Sequence, residues 1–272
     1  MDSFAPVNGQ GLRGLSSIAS SHRLNGMGQV SAVSVVFAAN TRPSADALRE
    51  LAKKSGQFSV SFDPGTESPG DGGWVELLTS GLTFDCSGLM PGPPDELPER
   101  VQSFGLQLDE DFSGSESVTI VPGPHLMGGG AMFPVVRCLA LLGALLSGVK
   151  GAQAVSWHSA RNYVAPDQFR SRVTNWFEGG AFPAFDLTAL VPIPGGGIAS
   201  EGLGLFIGQE IQLAPDIAPT RNDAGKIALR LIDYLIGTGR IDAPSQMVGP
   251  SGEGLLLTPT AGNQIIKVSR SS

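Results

Sequence analysis

The residues best suited to chemistry lie in the stretch AVSWHSARNYVAPDQFRSRVTNWFEGGAFPAFDL, Ala154 to Leu187. Trp157 and His158 come at the end of a predicted strand, and Arg161 and Tyr163 follow within a few residues. An imidazole beside a guanidinium and a phenol can transfer protons or bind an anion. The alternative is structural: the polar groups bond to the loop while the indole rings pack a sheet against a helix. No spacing typical of a nucleophile and its base accompanies them, which favours the structural alternative.

A second candidate is the glycine run in PGPHLMGGGAMFPVV. Gly128, Gly129 and Gly130 directly precede a predicted helix, whose free amide groups and dipole can hold an anion. His125 could join such a site as a ligand-binding residue. The run matches neither a Walker loop nor a dinucleotide-binding fingerprint. Since glycines before a helix also relieve close packing, a structural role for the run stays open.

Carboxylates recur in GGGIASEGLGLFIGQEIQL, which predicts a pair of short strands or one bent strand. Glu201 and Glu210 would face opposite sides of a straight strand, because side chains alternate along it. A bulge at one of the intervening glycines would bring them together as a carboxylate pair for acid–base chemistry. The structural alternative is that Gln209 and Glu210 bond to loop main chain or to an arginine.

The elements that would position these residues can be read from periodicity and turn signals. A predicted strand over 30–39 leads to a helix that is capped by Ser44 and ended by Gly56. Residues 74–84 predict a hairpin that turns at a Thr-Ser-Gly sequence. Further helices are predicted over 132–146, over 166–177, and from a cap at Thr220 or Asn222 to Gly237 or Gly239.

Helices and hairpins in this order predict an α+β fold, with mixed, mostly antiparallel sheets packed against helices. Both halves begin strand–helix–strand, which leaves two similar α+β halves open as an alternative. We predict four parts: a flexible N-terminal extension over 1–29, a small α+β unit over 30–90, a proline-rich acidic linker over 91–116 and a C-terminal α+β domain over 117–272.

Composition narrows the classes of function. The chain of 272 residues has a net charge of −7 and no cluster of Lys or Arg, which argues against nucleic acid and membrane surfaces as partners. It carries three His and no metal-ligand spacing, so we expect no metal and no cofactor. Cys86 and Cys138 are expected to be reduced thiols, with a disulfide left open. The N-terminus lacks a secretory signal pattern, and we expect a cytoplasmic protein.

Three segments, WHSARNYVAPDQF, GGAFPAFDLTAL and SEGLGLFIGQEIQL, follow one another in the chain. Their order resembles a family of uncharacterised bacterial proteins with a C-terminal domain of unknown function, over Val118 to Val268. The shared features are a Trp-His strand end, a Gly-Gly-x-Phe-Pro turn and a Ser-Glu-Gly-Leu…Gly-Gln-Glu segment. The resemblance implies a bacterial source and an α+β fold, and no reaction, cofactor or catalytic residue. The positions to which it draws attention are Trp157, His158, Glu201, Gln209 and Glu210.

Two hypotheses of function follow. The first is a non-enzymatic binding or regulatory protein, an adaptor or a toxin-neutralising immunity protein, whose acidic surface covers a basic protein partner. The second is an enzyme acting on a small anionic substrate, held at Gly128–Gly130, with His158 and Glu201 or Glu210 transferring the proton. The second hypothesis requires those groups to converge on one pocket. The lack of a recognisable catalytic motif favours the first.

Overall fold

The computed structural model describes residues 31–66, 73–107, 110–126 and 128–271. The N-terminal extension predicted over 1–29 therefore lies outside the described residues.

Among the described residues, eight strands form the first sheet. In chain order they are β1 (Val33–Phe37), β2 (Ser59–Phe62), β3 (Trp74–Thr79), β4 (Leu82–Ser87), β5 (Gln102–Phe104), β6 (Glu116–Pro122), β7 (Ala152–Trp157) and β8 (Asn162–Val164). Their order in space is β2-β3-β4-β6-β1-β7-β8-β5. Every neighbouring pair is antiparallel except β5 and β8, which run parallel.

The second sheet has six strands within the described part of the chain. They are β9 (Ala189–Pro192), β10 (Ile198–Glu201), β11 (Glu210–Leu213), β12 (Ser245–Val248), β13 (Gly254–Pro259) and β14 (Ile265–Arg270). The order is β12-β13-β14-β11-β10-β9, with β11 parallel to β14 and the other pairs antiparallel. The predicted α+β fold with mixed, mostly antiparallel sheets is confirmed. Because the sheets differ in strand number and order, they are not two copies of one topology.

The helices begin and end where local chemistry allows. The described residues form six: α1 (Ala45–Ser55), α2 (Phe133–Leu146), α3 (Pro166–Phe177), α4 (Ala184–Leu187), α5 (Gly204–Ile207) and α6 (Arg221–Thr238). The hydroxyl of Ser44 accepts a hydrogen bond from the Ala47 amide, and Gly56 ends α1 with a φ of 65°. Thr220 caps α6 in the same way as Ser44 caps α1. These predicted caps and the predicted bounds of α3 are confirmed.

The larger core lies between one face of the first sheet and the helices α1, α2 and α3. α2 is buried along most of its length, and it approaches the sheet so closely that a Cβ at Gly143 would lie 2.7 Å from Val33 Cγ2. A smaller core lies between α6 and the second sheet. Phe182, Ile207 and Ile236 pack against both cores and join them. Burial of these apolar side chains supplies the main stabilisation of the fold.

The opposite face of the first sheet, which we call the outer face, is partly covered by the segment predicted as a linker. Within 91–116, β5 pairs with β8, and the Asp95 amide donates to the Ser117 carbonyl at 3.1 Å. The Tyr163 hydroxyl donates to the Pro98 carbonyl at 2.9 Å. Residues 91–116 therefore do not connect two separate sheets, because the first sheet contains strands from before, within and after this segment. Strand pairing between remote segments leaves no trace in local composition, so the sequence could not reveal it.

Candidate functional site

The predicted strand-to-helix corner lies where the two sheets meet. β7 ends at Trp157, a single 3-10 turn covers His158–Ala160, and β8 and α3 follow. The Trp157 side chain is fully buried, and its ring stacks on Phe206, which lies in α5, with centroids 6.3 Å apart. Trp157 is thus a packing residue between the first sheet and the chain that enters the second.

His158 points toward the outer face of the first sheet. Its Nε2 lies 2.7 Å from the Ser34 hydroxyl, which in turn lies 2.8 Å from the Thr119 hydroxyl. Burial lowers the pKa of His158 to about 4, because an imidazolium loses its hydration there. At neutral pH the ring is therefore uncharged and shares one hydrogen bond with β1.

Arg161 joins the corner to the second sheet. Its Nε and Nη2 donate to Glu201 at distances of 2.7 to 3.1 Å, and its Nη1 donates to Glu99 at 3.2 Å. The hydrogen bond with Glu201 is the main cause that raises the pKa of Arg161. The backbone approaches just as closely, since a Cβ at Gly202 would lie 3.0 Å from the Leu187 carbonyl and 3.2 Å from that of Ser159. Glu201 therefore serves as an anchor between sheets.

Glu210 and Gln209 hold main chain at the edge of the same junction. The Glu210 carboxylate accepts hydrogen bonds from the amides of Gly202 and Gly204, both at 2.9 Å, and from the Ser200 hydroxyl. Gln209 is buried, and its side chain both donates to and accepts from the main chain of Ile241 at 2.8 Å. These contacts match the structural alternative for both residues.

The glycine run forms turns at the entrance to α2. The Gly129 amide donates to the Leu126 carbonyl at 2.8 Å, and the Ser31 hydroxyl donates to the Gly130 carbonyl at 3.0 Å. Gly128 is exposed, and its Cβ position meets open space. His125 is also exposed, in a 3-10 turn that precedes the run, and its charge lowers the pKa of Asp85.

The structure brings some of the predicted site residues together and keeps others apart. Arg161 and Glu201 meet directly, whereas the side chains of His158 and Glu210 bond to different partners. Within the described residues, no hydrogen bond joins His158 to either glutamate. The convergent arrangement that the enzyme hypothesis requires is thus not formed by their side chains.

A cavity of about 120 Å³ lies elsewhere, between the start of α6 and the chain around Gly196 and Gly197. Thr220 and Arg221 contribute to its wall, and none of the predicted site residues does.

The described residues contain no group of three or more His, Cys, Asp or Glu side chains that could hold a metal ion. Over the same part of the chain, none of the helices combines the length and apolar character needed to cross a membrane.

Sequence reasoning missed two features that carry charge. Asp186 is fully buried, and one of its oxygens accepts from Arg172 at 2.9 Å and from Gln168 at 3.1 Å. Burial raises the pKa of Asp186 against the opposing effect of Arg172.

The second feature is a pair of carboxylates, Glu76 and Asp85, on the outer face. The alternation in WVELL and LTFDC would have identified that pair, because it assigns both acids to the face opposite the core.

Comparison of the chain with protein-family models, with curated proteins and with solved structures finds no match in any of the three. The resemblance to an uncharacterised bacterial family therefore stays a prediction. The three segments that carry it meet at the junction between the sheets. There, Trp157 packs on Phe206, Arg161 binds Glu201, and the Asn162 side chain donates to the Asp186 carbonyl at 2.9 Å.

Proposed function

We propose that this protein is a non-enzymatic binding protein that acts by covering a basic protein partner. The observation that carries the proposal is that the candidate catalytic groups already have partners in the fold. Arg161 and Glu201 bind each other, Glu210 accepts main-chain amides, and the His158 ring hydrogen-bonds to Ser34. Groups committed in this way hold the fold together and are not available to bind or activate a substrate.

Charge on the surface supports a basic partner. The chain has a net charge of −7, and the segment 91–116 is rich in acids while its basic residue is Arg100 alone. The Arg100 guanidinium lies over the rings of Phe112 and Tyr163, at 5.2 and 5.7 Å. Glu96, Glu99 and Arg100 are all exposed, so acids outnumber the base on the surface of this part of the segment. An acidic surface of this kind accelerates encounter with a positively charged protein and rejects acidic ones.

We further propose that the protein acts in the bacterial cytoplasm, as an adaptor or as an immunity protein that neutralises a toxin. The resemblance of its three C-terminal segments to bacterial sequences supports this source. The acidic surface supports a target whose own function depends on basic residues, such as a toxin face that binds nucleic acid.

The test is affinity capture from a lysate of the source organism, with the full chain as bait, at low and at high salt. A second bait of similar size and net charge controls for non-specific binding of basic proteins. We expect a basic protein that the full chain retains at low salt and releases as salt rises, because screening weakens the attraction between surface charges. Failure to recover any partner beyond the control bait, at either salt, would overturn the proposal.

A further inference from the structure

The outer face of β2 and β3 carries large apolar side chains in contact with solvent. Phe62, Trp74 and Leu78 are 42%, 36% and 37% exposed. Alternation along β3 explains this arrangement, because Val75 and Leu77 point into the core and their neighbours must point away from it. Phe62 and Trp74 touch, with ring centroids 5.8 Å apart. Phe62 and Trp74 thus form an exposed apolar surface, with Leu78 further along the same face of the sheet, and exposed apolar patches are typical of interaction sites.

Two carboxylates lie on the same face beside these rings. Glu76 of β3 is directly opposite Asp85 of β4, and Phe62 is opposite Glu76 on the other side. Side chains at directly opposed positions have Cβ atoms only about 5 Å apart, and two like charges placed so are mutually destabilising. Glu76 accepts a hydrogen bond from the Ser61 hydroxyl at 2.7 Å. Within the described residues, neither acid forms an ion pair with Lys or Arg.

The residues around Glu76 and Asp85 compensate little of the negative charge of these two carboxylates. Burial, and then the neighbouring Glu76, raise the pKa of Asp85, while His125 lowers it. His125 is the side chain whose charge opposes this shift, and it lies at the surface. A cation that arrived from outside would relieve the repulsion between the two carboxylates and would gain a hydrogen bond to a charged acceptor.

We propose that this outer-face patch, formed by Phe62, Trp74, Glu76, Leu78 and Asp85, is the docking surface for an extended segment of a protein partner that carries basic and apolar side chains on one face. A Lys or Arg side chain of the segment lies between Glu76 and Asp85. Its apolar side chains pack on Phe62, Trp74 and Leu78. An aromatic ring beside a carboxylate attracts a cation through its π face as well, and aromatic residues dominate the energy of many protein interfaces. The inference rests on the proposed function, to which it adds the surface and the chemistry of the partner.

Trp74 provides a direct reporter of occupancy. The other two tryptophans, Trp157 and Trp176, are 0% and 8% exposed, so collisional quenching by acrylamide acts mainly on Trp74. The probe, called the Lys–Val peptide, is a synthetic peptide of the repeat Lys-Thr-Val-Thr, in which Lys and Val alternate along one face of a strand. The matched control, called the Glu–Val peptide, has the repeat Glu-Thr-Val-Thr. We expect the Lys–Val peptide to protect Trp74 from acrylamide and the Glu–Val peptide to leave quenching unchanged.

The variant Glu76→Gln/Asp85→Asn removes both charges but keeps the acceptor for Ser61. It should weaken binding of the Lys–Val peptide by about tenfold or more. Asp216→Asn/Asp233→Asn makes the same change in net charge at two exposed residues outside the patch, and it should weaken binding by about twofold or less. Circular dichroism and thermal unfolding establish that each variant is folded. No protection by the Lys–Val peptide, equal protection by both peptides, or equal affinity of the two variants would overturn the assignment.

The same two variants, used as baits for the lysate capture, separate the two proposals. Loss of the captured partner with Glu76→Gln/Asp85→Asn, and retention with Asp216→Asn/Asp233→Asn, supports the outer-face patch. The reverse pattern overturns the patch and leaves the proposed function standing. If the wild-type bait recovers no partner, the proposed function fails, and the peptide titration alone decides whether the patch binds basic segments.

Discussion

Acidification should destabilise the protein through His158, and the size of the effect follows from its surroundings. Burial lowers the pKa of this imidazole to about 4, from an ordinary value of 6.5. The unfolded chain therefore binds a proton at a pH where the folded chain does not. Stability is unaffected above 6.5 and falls as pH drops from 6.5 toward 4. Between about pH 8 and about pH 5, this one residue should remove about 2 kcal/mol from the free energy of unfolding.

The assay is urea unfolding of the wild type, His158→Gln and His125→Gln at about pH 8 and about pH 5. Glutamine at 158 keeps a hydrogen-bonding group near Ser34 and does not titrate. Asp85 and Asp186, whose pKa values are raised, act in the opposite direction but contribute equally in the wild type and in His158→Gln. The wild type and His125→Gln should each lose about 2 kcal/mol more on acidification than His158→Gln. Equal losses in the three proteins would refute the reasoning, as would an NMR titration that gives His158 its ordinary pKa.

Three further predictions concern the junction and the thiols. Arg161→Ala and Glu201→Ala should show a coupling of about 1 kcal/mol in a double-mutant cycle, because their ion pair is bidentate although partly exposed. A coupling of zero would contradict the role of this pair as an anchor between the sheets. Glu210→Ala should reduce unfolding free energy by about 2 kcal/mol and Glu210→Gln by less, since only alanine leaves two amides without an acceptor; equal effects would be evidence against this. Cys86 and Cys138 should react with a thiol reagent only after unfolding, because burial raises both pKa values; rapid reaction of the native protein would exclude this.

Local structure could be predicted here because its causes are local. Ser44 caps α1 and Gly56 ends it through interactions within a few residues, and both signals stand in the sequence. The hairpin of β3 and β4 follows from alternating polarity on each side of one tight turn. The residues of α3 that face the core recur at helical spacing, so its extent was also visible.

Long-range structure could not be predicted, for reasons that β5 illustrates. Gln102–Phe104 lies in a segment rich in proline and acids, and it forms a strand only because β8 supplies the partner for its main chain. The parallel pairing of β11 with β14 has the same origin, since the two strands are far apart in the chain. The candidate site was the hardest part to predict. A motif indicates which residue types are present, but it does not indicate which remote residues will form ion pairs and hydrogen bonds with them.

Arg161 shows how partners from remote segments change the interpretation of the polar corner around His158. Its backbone has a φ of 49°, in the left-handed region, and its main-chain carbonyl accepts from Val101 at 2.8 Å while its side chain reaches Glu201. A residue that is strained and bonded in three directions fixes the relative position of the segment 91–116, the first sheet and the second. Substitutions at this junction should therefore impair partner binding only as far as they reduce stability. Substitutions at Glu76 or Asp85 should impair binding in a protein that is fully folded, and this contrast distinguishes a structural junction from a docking surface.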